Sequence, residues 1–299
     1  MVKTETDFCC LSLGDIMLDF VKSPLNYMGS KFEILGKIIP VFPKHIDKFV
    51  DLFTGGMNVA VNVDADTIYA NDRITYLIEV YNYIMVTPTS TIFEDINFTI
   101  DRFKLSKTNA DGYAELRDEY NKTKEPMLLL VLSFYAFNNV LRFNNSMEFN
   151  TSFGKTCFKS NAAKNLMDFS KLLKEKKYVL TSLDFRKFDF TDLTSDSLVY
   201  CDPPYSITLG SYSDGKRGFG GWSEQDDIDL LNILDTLNQK NVKFALSNVL
   251  KHGEKSNDLL IKWSSKYNVI HLGNYSNHWR YRSEGSENIG LDEVLITNF

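Results

Sequence analysis

Runs of β-branched and aromatic residues recur along the chain at the length of a β-strand. The seven clearest runs cover residues 45–53, 67–72, 177–185, 197–205, 242–249, 268–273 and 292–299. Between the fourth and fifth, the apolar residues Ile228, Leu231, Leu234 and Leu237 recur at three-residue steps after Ser223, which predicts a capped helix with one buried face. A strand, a helix and a strand in this order predict a parallel α/β sheet.

A long insertion interrupts this rhythm after the second run. Roughly a hundred residues separate it from the third, whereas a crossover needs only about a dozen. Apolar spacing predicts helices at 76–84, 93–105 and 126–137, and the polar, turn-rich stretch at 138–155 predicts an exposed hairpin. Four segments follow from this pattern: an N-terminal extension at 1–24, an α/β domain made of 25–74 and 178–299, and an inserted subdomain at 75–177.

Composition is that of an ordinary globular protein, with 43% hydrophobic and 24% charged residues among 299. The longest apolar run, residues 127–137, is shorter than the roughly 20 residues of a membrane span, and no basic leader precedes an apolar stretch. We therefore expect a cytoplasmic protein. The four cysteines lack paired spacing and the four histidines are scattered, so no metal is expected.

Charge is distributed unevenly. The net charge of −6 argues against indiscriminate coating of nucleic acid. However, residues 142–177 carry eight basic side chains (Arg142, Lys155, Lys159, Lys164, Lys171, Lys174, Lys176 and Lys177) against three acids (Glu148, Asp168 and Glu175). This local surplus is typical either of a DNA-facing surface or of a solvated helix face.

The tetrapeptide Asp202-Pro203-Pro204-Tyr205 directly follows an apolar strand-like run. Two prolines can simply end a strand. They can also hold the Asp202 carboxylate and the Pro203 carbonyl as two rigid acceptors for the hydrogens of a planar amine such as adenine N6. Such acceptors would localise the nitrogen lone pair and aim it at an electrophilic methyl group. Tyr205 would then offer a stacking face for an extruded base.

Two further segments indicate a nucleoside cofactor. Asp51, Phe53, Gly55 and Gly56 follow the first strand, and Asp72 ends the next, where a carboxylate can accept hydrogen bonds from ribose hydroxyls. Two glycines are too few for a dinucleotide fingerprint but suffice for S-adenosyl-L-methionine, which has no pyrophosphate. A plain tight turn is the alternative. Upstream, Tyr27, Gly29 and Lys31 can pack on such a cofactor and pair with its carboxylate.

Asp184 and Phe185 follow the third strand, at the edge where open α/β sheets bind ligands. A turn that caps the core explains this pair equally well. We include both residues among the candidate cofactor contacts.

Taken together, these motifs make the sequence resemble the Dam-type adenine-N6 DNA methyltransferases, especially those of phages. The shared strings include YMGSK, VDLFTGG, YAND, FNNVLRFN, TSFGK, DPPY, WSEQD and DEVLITNF, and the likeness extends from residue 25 to the last residue. The resemblance implies a seven-stranded, mostly parallel, Rossmann-like sheet with a reversed last strand and a helical recognition insert. It also implies cofactor contacts at Tyr27, Lys31, Asp72 and Asp202.

The same resemblance implies that the hairpin contacts duplex DNA. The residues expected there are Asn138, Asn139, Arg142, Asn144, Ser152 and Lys155. Similar proteins commonly methylate GATC, but their hairpin ends in a proline-phenylalanine-glycine string with an arginine close behind. This chain has Ser152, Phe153, Gly154 and Lys155 instead, and lysine lacks the bidentate fork that reads guanine.

The sequence therefore predicts an S-adenosylmethionine-dependent methyltransferase acting on a flipped adenine in double-stranded DNA. Methyltransferases of RNA adenine or protein glutamine are alternative enzymes, and a catalytically inactive DNA-binding relative is an alternative of another class. No obligate protein partner is indicated, and a monomer or weak dimer is expected. The phage, orphan or restriction-modification setting stays open.

Overall fold

A mostly parallel β-sheet forms the centre of the computed structural model, which describes residues 20–144, 146–207, 221–273 and 290–299. Its strands are β1 Lys48–Asp51, β2 Thr67–Asn71, β3 Tyr178–Thr181, β4 Leu198–Cys201, β5 Lys243–His252, β6 Lys255–Ser256, β7 Asn268–His271 and β8 Leu291–Thr297. The order across the sheet is β3-β2-β1-β4-β5-β8-β7. The first five strands are parallel, whereas β8 runs antiparallel to both β5 and β7.

This topology confirms the predicted α/β class, the seven strands and the reversed last strand. The two-residue β6, which pairs with the end of β5, was not predicted. The predicted extension at 1–24 lies outside the described residues up to residue 19, as do Cys9 and Cys10.

Helices cover both faces of the sheet. They are α1 Leu35–Ile38, α2 Asn58–Asn62, α3 Thr75–Val86, α4 Thr89–Arg102, α5 Ala110–Thr123, α6 Pro126–Tyr135, α7 Ser160–Glu175, α8 Glu224–Gln239 and α9 Asp258–Ser264. Among the described residues, none of the helices has the length and apolar character needed to cross a bilayer. Helix α4 begins and ends earlier than the predicted 93–105.

Capping explains where α8 begins. Ser223 accepts a hydrogen bond from the Asp226 backbone N–H, and the Asp226 carboxylate accepts one from the Ser223 N–H, which forms a capping box. The buried face is the predicted one at Leu231, Leu234 and Leu237. Ile228, which was predicted on the same buried face, is only half-buried.

The helices α3–α7 lie between β2 and β3, as the insertion predicted. Their apolar side chains do not form a separate core: Leu129 and Leu132 belong to the same buried cluster as Phe49 and Ile68 of the sheet. A second cluster, which includes Val50, covers the opposite face. The insert is therefore rigidly attached to the scaffold, and its separate recognition role stays a prediction.

Candidate active site and recognition loop

A cavity that is partly open to solvent lies at the carboxyl ends of β1, β2 and β4. This is the edge where parallel α/β sheets bind ligands. The predicted residues that line it are Tyr27, Gly29, Lys31, Asp51, Phe53, Gly55, Gly56, Asp72, Asp202, Pro203, Pro204 and Tyr205. The fold therefore brings four separate segments of the chain into one site, which we call the charged cavity.

Lys31 is the central cation of this cavity. It is buried, and its Nζ lies 2.9 Å from Oδ2 of Asp202 and 3.6 Å from Oε1 of Glu293. Tyr205 donates a hydrogen bond of 2.7 Å to the other Asp202 oxygen, and the Lys31 ammonium lies 5.0 Å from the centre of the Tyr205 ring. Asp202 is thus held from both sides. Its side chain keeps 18% of its surface exposed toward the cavity.

Two more carboxylates lie at the ends of β1 and β2. Asp51 is buried, and burial raises its pKa to about 8. The negative charge of Asp202 also raises this pKa, whereas the hydrogen bond that Thr54 donates to Oδ2 lowers it. Its other oxygen, Oδ1, is buried with no hydrogen-bond partner among the described residues. Burial likewise raises the pKa of Asp72 to about 6, opposed by N–H donors of Ile74 and Gly55.

The turn between β1 and α2 brings backbone close to the cavity. Gly55 has a φ of +44°, and a Cβ at this position would lie 3.0 Å from the Tyr27 ring. Its N–H donates to Oδ2 of Asp72 at 2.8 Å, and its carbonyl accepts a hydrogen bond from the Tyr81 hydroxyl at 2.7 Å. The glycine therefore permits both the conformation and the close approach of Tyr27.

Asp184 and Phe185 lie at a second cavity, beside the first. Phe53, which lines both cavities, Phe185 and Trp222 form an aromatic wall with ring centroids 5.4–5.6 Å apart. Arg186 lies 4.4 Å above the Phe185 ring and pairs with Asp184 at 3.3 Å. We call this the aromatic cavity. Planar stacking surfaces of this kind suit a purine ring.

Sequence reasoning missed several residues in and beside these cavities, and two of them matter most here. Trp222 lines the aromatic cavity and immediately precedes the Ser223 cap, where an aromatic residue next to the ligand edge was a usable signal. Glu293 lies beside the charged cavity, 3.6 Å from Lys31, and is an acid next to the apolar run Val294–Ile296 of β8, where it is 8% exposed. A buried acid in a central strand is rare enough to have been marked.

The Tyr205 ring is less accessible than its predicted role, stacking on an extruded base, requires. Its side chain is buried at 7% exposure, and the hydroxyl is engaged by Asp202. Stacking on an extruded base therefore requires the ring to gain an open face, and this role stays a prediction.

Over its described residues, 136–144 and 146–155, the predicted hairpin has no regular strand, and we call this segment the recognition loop. Two isolated antiparallel bridges, Ala136–Phe153 and Phe143–Phe149, hold it together. Gly154 packs so closely on the end of α6 that a Cβ would lie 2.4 Å from the Ala136 carbonyl oxygen. The loop also contacts the residue that precedes Tyr27, since the Asn26 side chain donates a 2.9 Å hydrogen bond to the Asn138 carbonyl.

Most predicted DNA contacts lie on the outer side of this loop. Asn138, Arg142, Ser152 and Lys155 are exposed, whereas Asn139 and Asn144 are half-buried. Asn139 donates to carbonyls at the end of α6, and Asn144 accepts N–H groups of the loop tip, so both also stabilise the backbone.

Arg142 is held in a defined orientation. Its Nε donates to Oδ1 of Asn150 at 2.9 Å and its Nη2 to the Asn150 carbonyl at 3.2 Å. A guanidinium carries five N–H donors, so further donors remain available to a ligand.

The basic surplus of residues 142–177 is partly internal to the fold. Lys164 pairs with Asp168 at 2.7 Å, and Lys171 lies 3.8 Å from Glu175, both along α7. Lys174 and Lys176 donate to backbone carbonyls of Ile84 and Val63. Four of the eight basic side chains are therefore engaged within the fold, two of them in ion pairs along α7 as the solvated-helix interpretation predicts.

The donor set fits S-adenosylmethionine. Lys31 can pair with a carboxylate, the partnerless Oδ1 of Asp51 can accept from an ammonium, Asp72 can accept from a ribose, and the aromatic cavity can hold an adenine ring. The two cavities share Phe53, so one extended ligand can reach both.

Comparison with known proteins identifies the family. Residues 27–277 match the family described as D12 class N6 adenine-specific DNA methyltransferase. The chain belongs to this family. It is 46% identical over 283 residues to the type II methyltransferase M.FokI of Planomicrobium okeanokoites and 45% identical over 285 residues to the modification methylase StsI of Streptococcus sanguinis. The matches cover 94% of this chain but 43% of either relative, so the chain spans less than half of their length.

The Dam-type resemblance is also confirmed for this D12-class chain. The DNA adenine methylase of Escherichia coli K12 is 25% identical over 228 residues, which cover 75% of this chain and 79% of that protein.

Proposed function

We propose that this chain transfers a methyl group to the exocyclic N6 amine of adenine in double-stranded DNA. S-adenosyl-L-methionine is the proposed cofactor and supplies the electrophilic methyl group when bound. The observation that carries the proposal is the position of Asp202 and Pro203 in one cavity with the buried Lys31 and the buried acids Asp51 and Asp72.

Asp202 and the Pro203 carbonyl would accept the two N6 hydrogens and thereby direct the nitrogen lone pair. Lys31 would pair with the methionine carboxylate, Asp51 would face the methionine ammonium, and Asp72 would accept from the ribose. Asp202 lies inside a cavity, so an adenine must leave the helix to reach it, which supports base flipping.

The recognition loop is the proposed DNA contact. Its exposed Asn138, Arg142, Ser152 and Lys155 are hydrogen-bond donors of the kinds that contact base edges and phosphates. Phe137 is 55% exposed beside them and offers an apolar ring at the same surface.

Methyl transfer is tested with tritiated S-adenosylmethionine and adenine-unmethylated plasmid DNA, followed by nucleoside digestion and mass spectrometry. We expect N6-methyldeoxyadenosine with wild-type protein and none with Asp202→Ala. Parallel reactions with RNA and with protein extract separate the other acceptor classes. Label in either of these, with none in DNA, would contradict the proposal.

Modified-base sequencing of the same plasmid identifies the target sequence. GATC is the first candidate, from the Dam-type resemblance, and the similarity to modification methylases supports a restriction-modification setting. We further propose that the protein acts in the cytoplasm of a bacterial or phage-infected cell as a monomer or weak dimer. Light scattering at working concentration measures its oligomeric state.

A further inference from the structure

Glu293 is a buried carboxylate that the proposed mechanism does not yet use. It lies on β8, between β5 and β7, and only 8% of its surface is exposed. Removing a carboxylate from water is costly unless nearby groups compensate for it. Burial raises its pKa, and Lys31 is the main group that opposes this shift.

Its surroundings belong to the charged cavity. Lys31 lies 3.6 Å from Glu293 and 2.9 Å from Asp202, so one ammonium serves two carboxylates. Tyr205 lies beside both acids, and its one hydroxyl proton is donated to Asp202. Tyr200 on β4 lies near the same acids, and its hydroxyl is within hydrogen-bond distance of Ser247.

This arrangement bears on how well Asp202 can accept hydrogen bonds. An ammonium that pairs with Asp202 alone would draw electron density toward itself and weaken that carboxylate as an acceptor for an amine. A second anion next to the same ammonium shares its charge and reduces this effect, because the interaction between charges depends on their separation and number. The lysine is also left close to the cavity, where a ligand carboxylate would bind.

We propose that Glu293 is a positioning residue that shares the Lys31 ammonium with Asp202 and so keeps Asp202 a strong acceptor for the adenine amine. The proposal rests on the proposed function. It assigns Glu293 no contact with substrate.

Glu293→Gln removes the charge and keeps the shape. We expect kcat for DNA methylation to fall about tenfold, because the undivided Lys31 ammonium then weakens Asp202 as an acceptor for the adenine amine. The dissociation constant for S-adenosylhomocysteine, measured by calorimetry, should stay within about twofold or become lower, since Lys31 has lost one competing anion. A merely structural role would weaken binding and turnover together.

The pH profile gives a second readout. Protonation of Glu293 at low pH makes the wild type resemble the variant, so the ratio of wild-type to variant kcat should be largest at neutral pH and approach one toward acid pH. In both proteins Glu293 is faced by Lys31, Asp202, Tyr205 and Tyr200, so the ratio compares proteins with the same neighbouring groups.

Asp292→Asn is the matched control. It removes a carboxylate from the adjacent position of β8, where Asp292 pairs with His271 at 2.7 Å and lines neither cavity. We expect unchanged kcat. Glu293→Asp, whose shorter carboxylate withdraws from Lys31, should give an intermediate kcat, and it carries the test alone if Glu293→Gln does not fold.

A double-mutant cycle completes the design. In a Lys31→Met background, Glu293→Gln should change kcat less than twofold, because the shared ammonium is gone. Wild-type kcat in Glu293→Gln and Glu293→Asp, or equal losses of kcat and cofactor affinity, would overturn the proposal. A wild-type protein that methylates no DNA would instead overturn the proposed function, whatever the variants do.

Discussion

The charged cavity and the recognition loop differ in how the fold fixes their side chains. In the cavity, Asp51, Asp72 and Asp202 stand at the ends of neighbouring parallel strands, and their separations follow from strand pairing. In the loop, the side chains are positioned by isolated bridges and by side-chain hydrogen bonds such as the one from Arg142 to Asn150. The proposed chemistry is thus attached to the paired strands of the sheet, and the proposed base recognition to a loop that side-chain contacts and isolated bridges hold.

The difference predicts that the two regions can be damaged separately. Substitutions in the cavity should change turnover or cofactor affinity and leave DNA affinity nearly intact. Substitutions in the loop should change DNA affinity or sequence preference and leave cofactor affinity intact. The additivity expected of distant sites makes this testable.

The largest effect is expected for Asp202→Ala. It removes the acceptor that orients N6, so the transition state should lose at least about 2 kcal/mol of stabilisation, and the rate of methylation should fall accordingly. Most of the cofactor affinity should be retained. Steady-state kinetics and calorimetry measure the two quantities. Turnover above about a tenth of wild type would contradict the role assigned to Asp202, because a loss of 1.4 kcal/mol is tenfold.

Lys31→Ala and Asp72→Ala should come next. Each removes one charged partner of the cofactor, so the dissociation constant for S-adenosylmethionine should rise about tenfold or more, with little change in DNA affinity. Asp72 also accepts two backbone hydrogen bonds, so thermal melts must accompany the titration. Unchanged cofactor affinity in both folded variants would mean that the cofactor binds elsewhere.

The sequence predicted the sheet and the cavity well for the same physical reason. Strands buried on both faces appear as short apolar runs, and the residues that follow them must meet at one edge of the sheet. This is why Asp51, Asp72 and Asp202, separated by up to 151 positions (202 − 51), could be assigned to one site before the structure was known.

The helices of the insert were harder to predict. Helix α5 is rich in charged residues and its buried Tyr113, Leu116 and Tyr120 form a narrow stripe, while the apolar face of α7 was obscured by its lysines. Tertiary packing stabilises such helices more than local preference does.

Long-range contacts were beyond sequence reasoning. The pairing of Lys31 with Glu293 joins the two ends of the chain, and no local pattern encodes it. The recognition loop was predicted as a hairpin because its turn residues and alternation are typical of one. Its stability depends instead on side-chain contacts such as Asn121 with the Phe149 backbone.

Arg142→Ala tests the loop. If Arg142 reads a guanine, the difference in binding free energy between the cognate duplex and singly substituted duplexes should shrink by about 1–3 kcal/mol. If Arg142 contacts a phosphate instead, all duplexes should bind more weakly by the same factor, and the slope of log affinity against log salt concentration should fall by about one unit. Binding measured at two salt concentrations separates the two roles. Lys159→Ala, which removes another exposed cation of the insert, is the control for charge alone.

The smallest effect is expected for Asp51, and it concerns how the free energy of unfolding of the protein depends on pH. Burial raises the pKa of Asp51 to about 8 and that of Asp72 to about 6, both above the ordinary value of 3.8. Between about pH 4 and 8 the folded state therefore holds more protons than the unfolded state, and the free energy of unfolding should fall as the pH rises. Asp51→Asn keeps the buried shape without the charge, so it should reduce this fall by at least about 1 kcal/mol between pH 6 and 9, as measured by urea unfolding. Glu148→Gln, an exposed change in the recognition loop, should leave the wild-type slope unaltered, and parallel slopes for all three proteins would mean that Asp51 is ionised in the folded protein throughout this range.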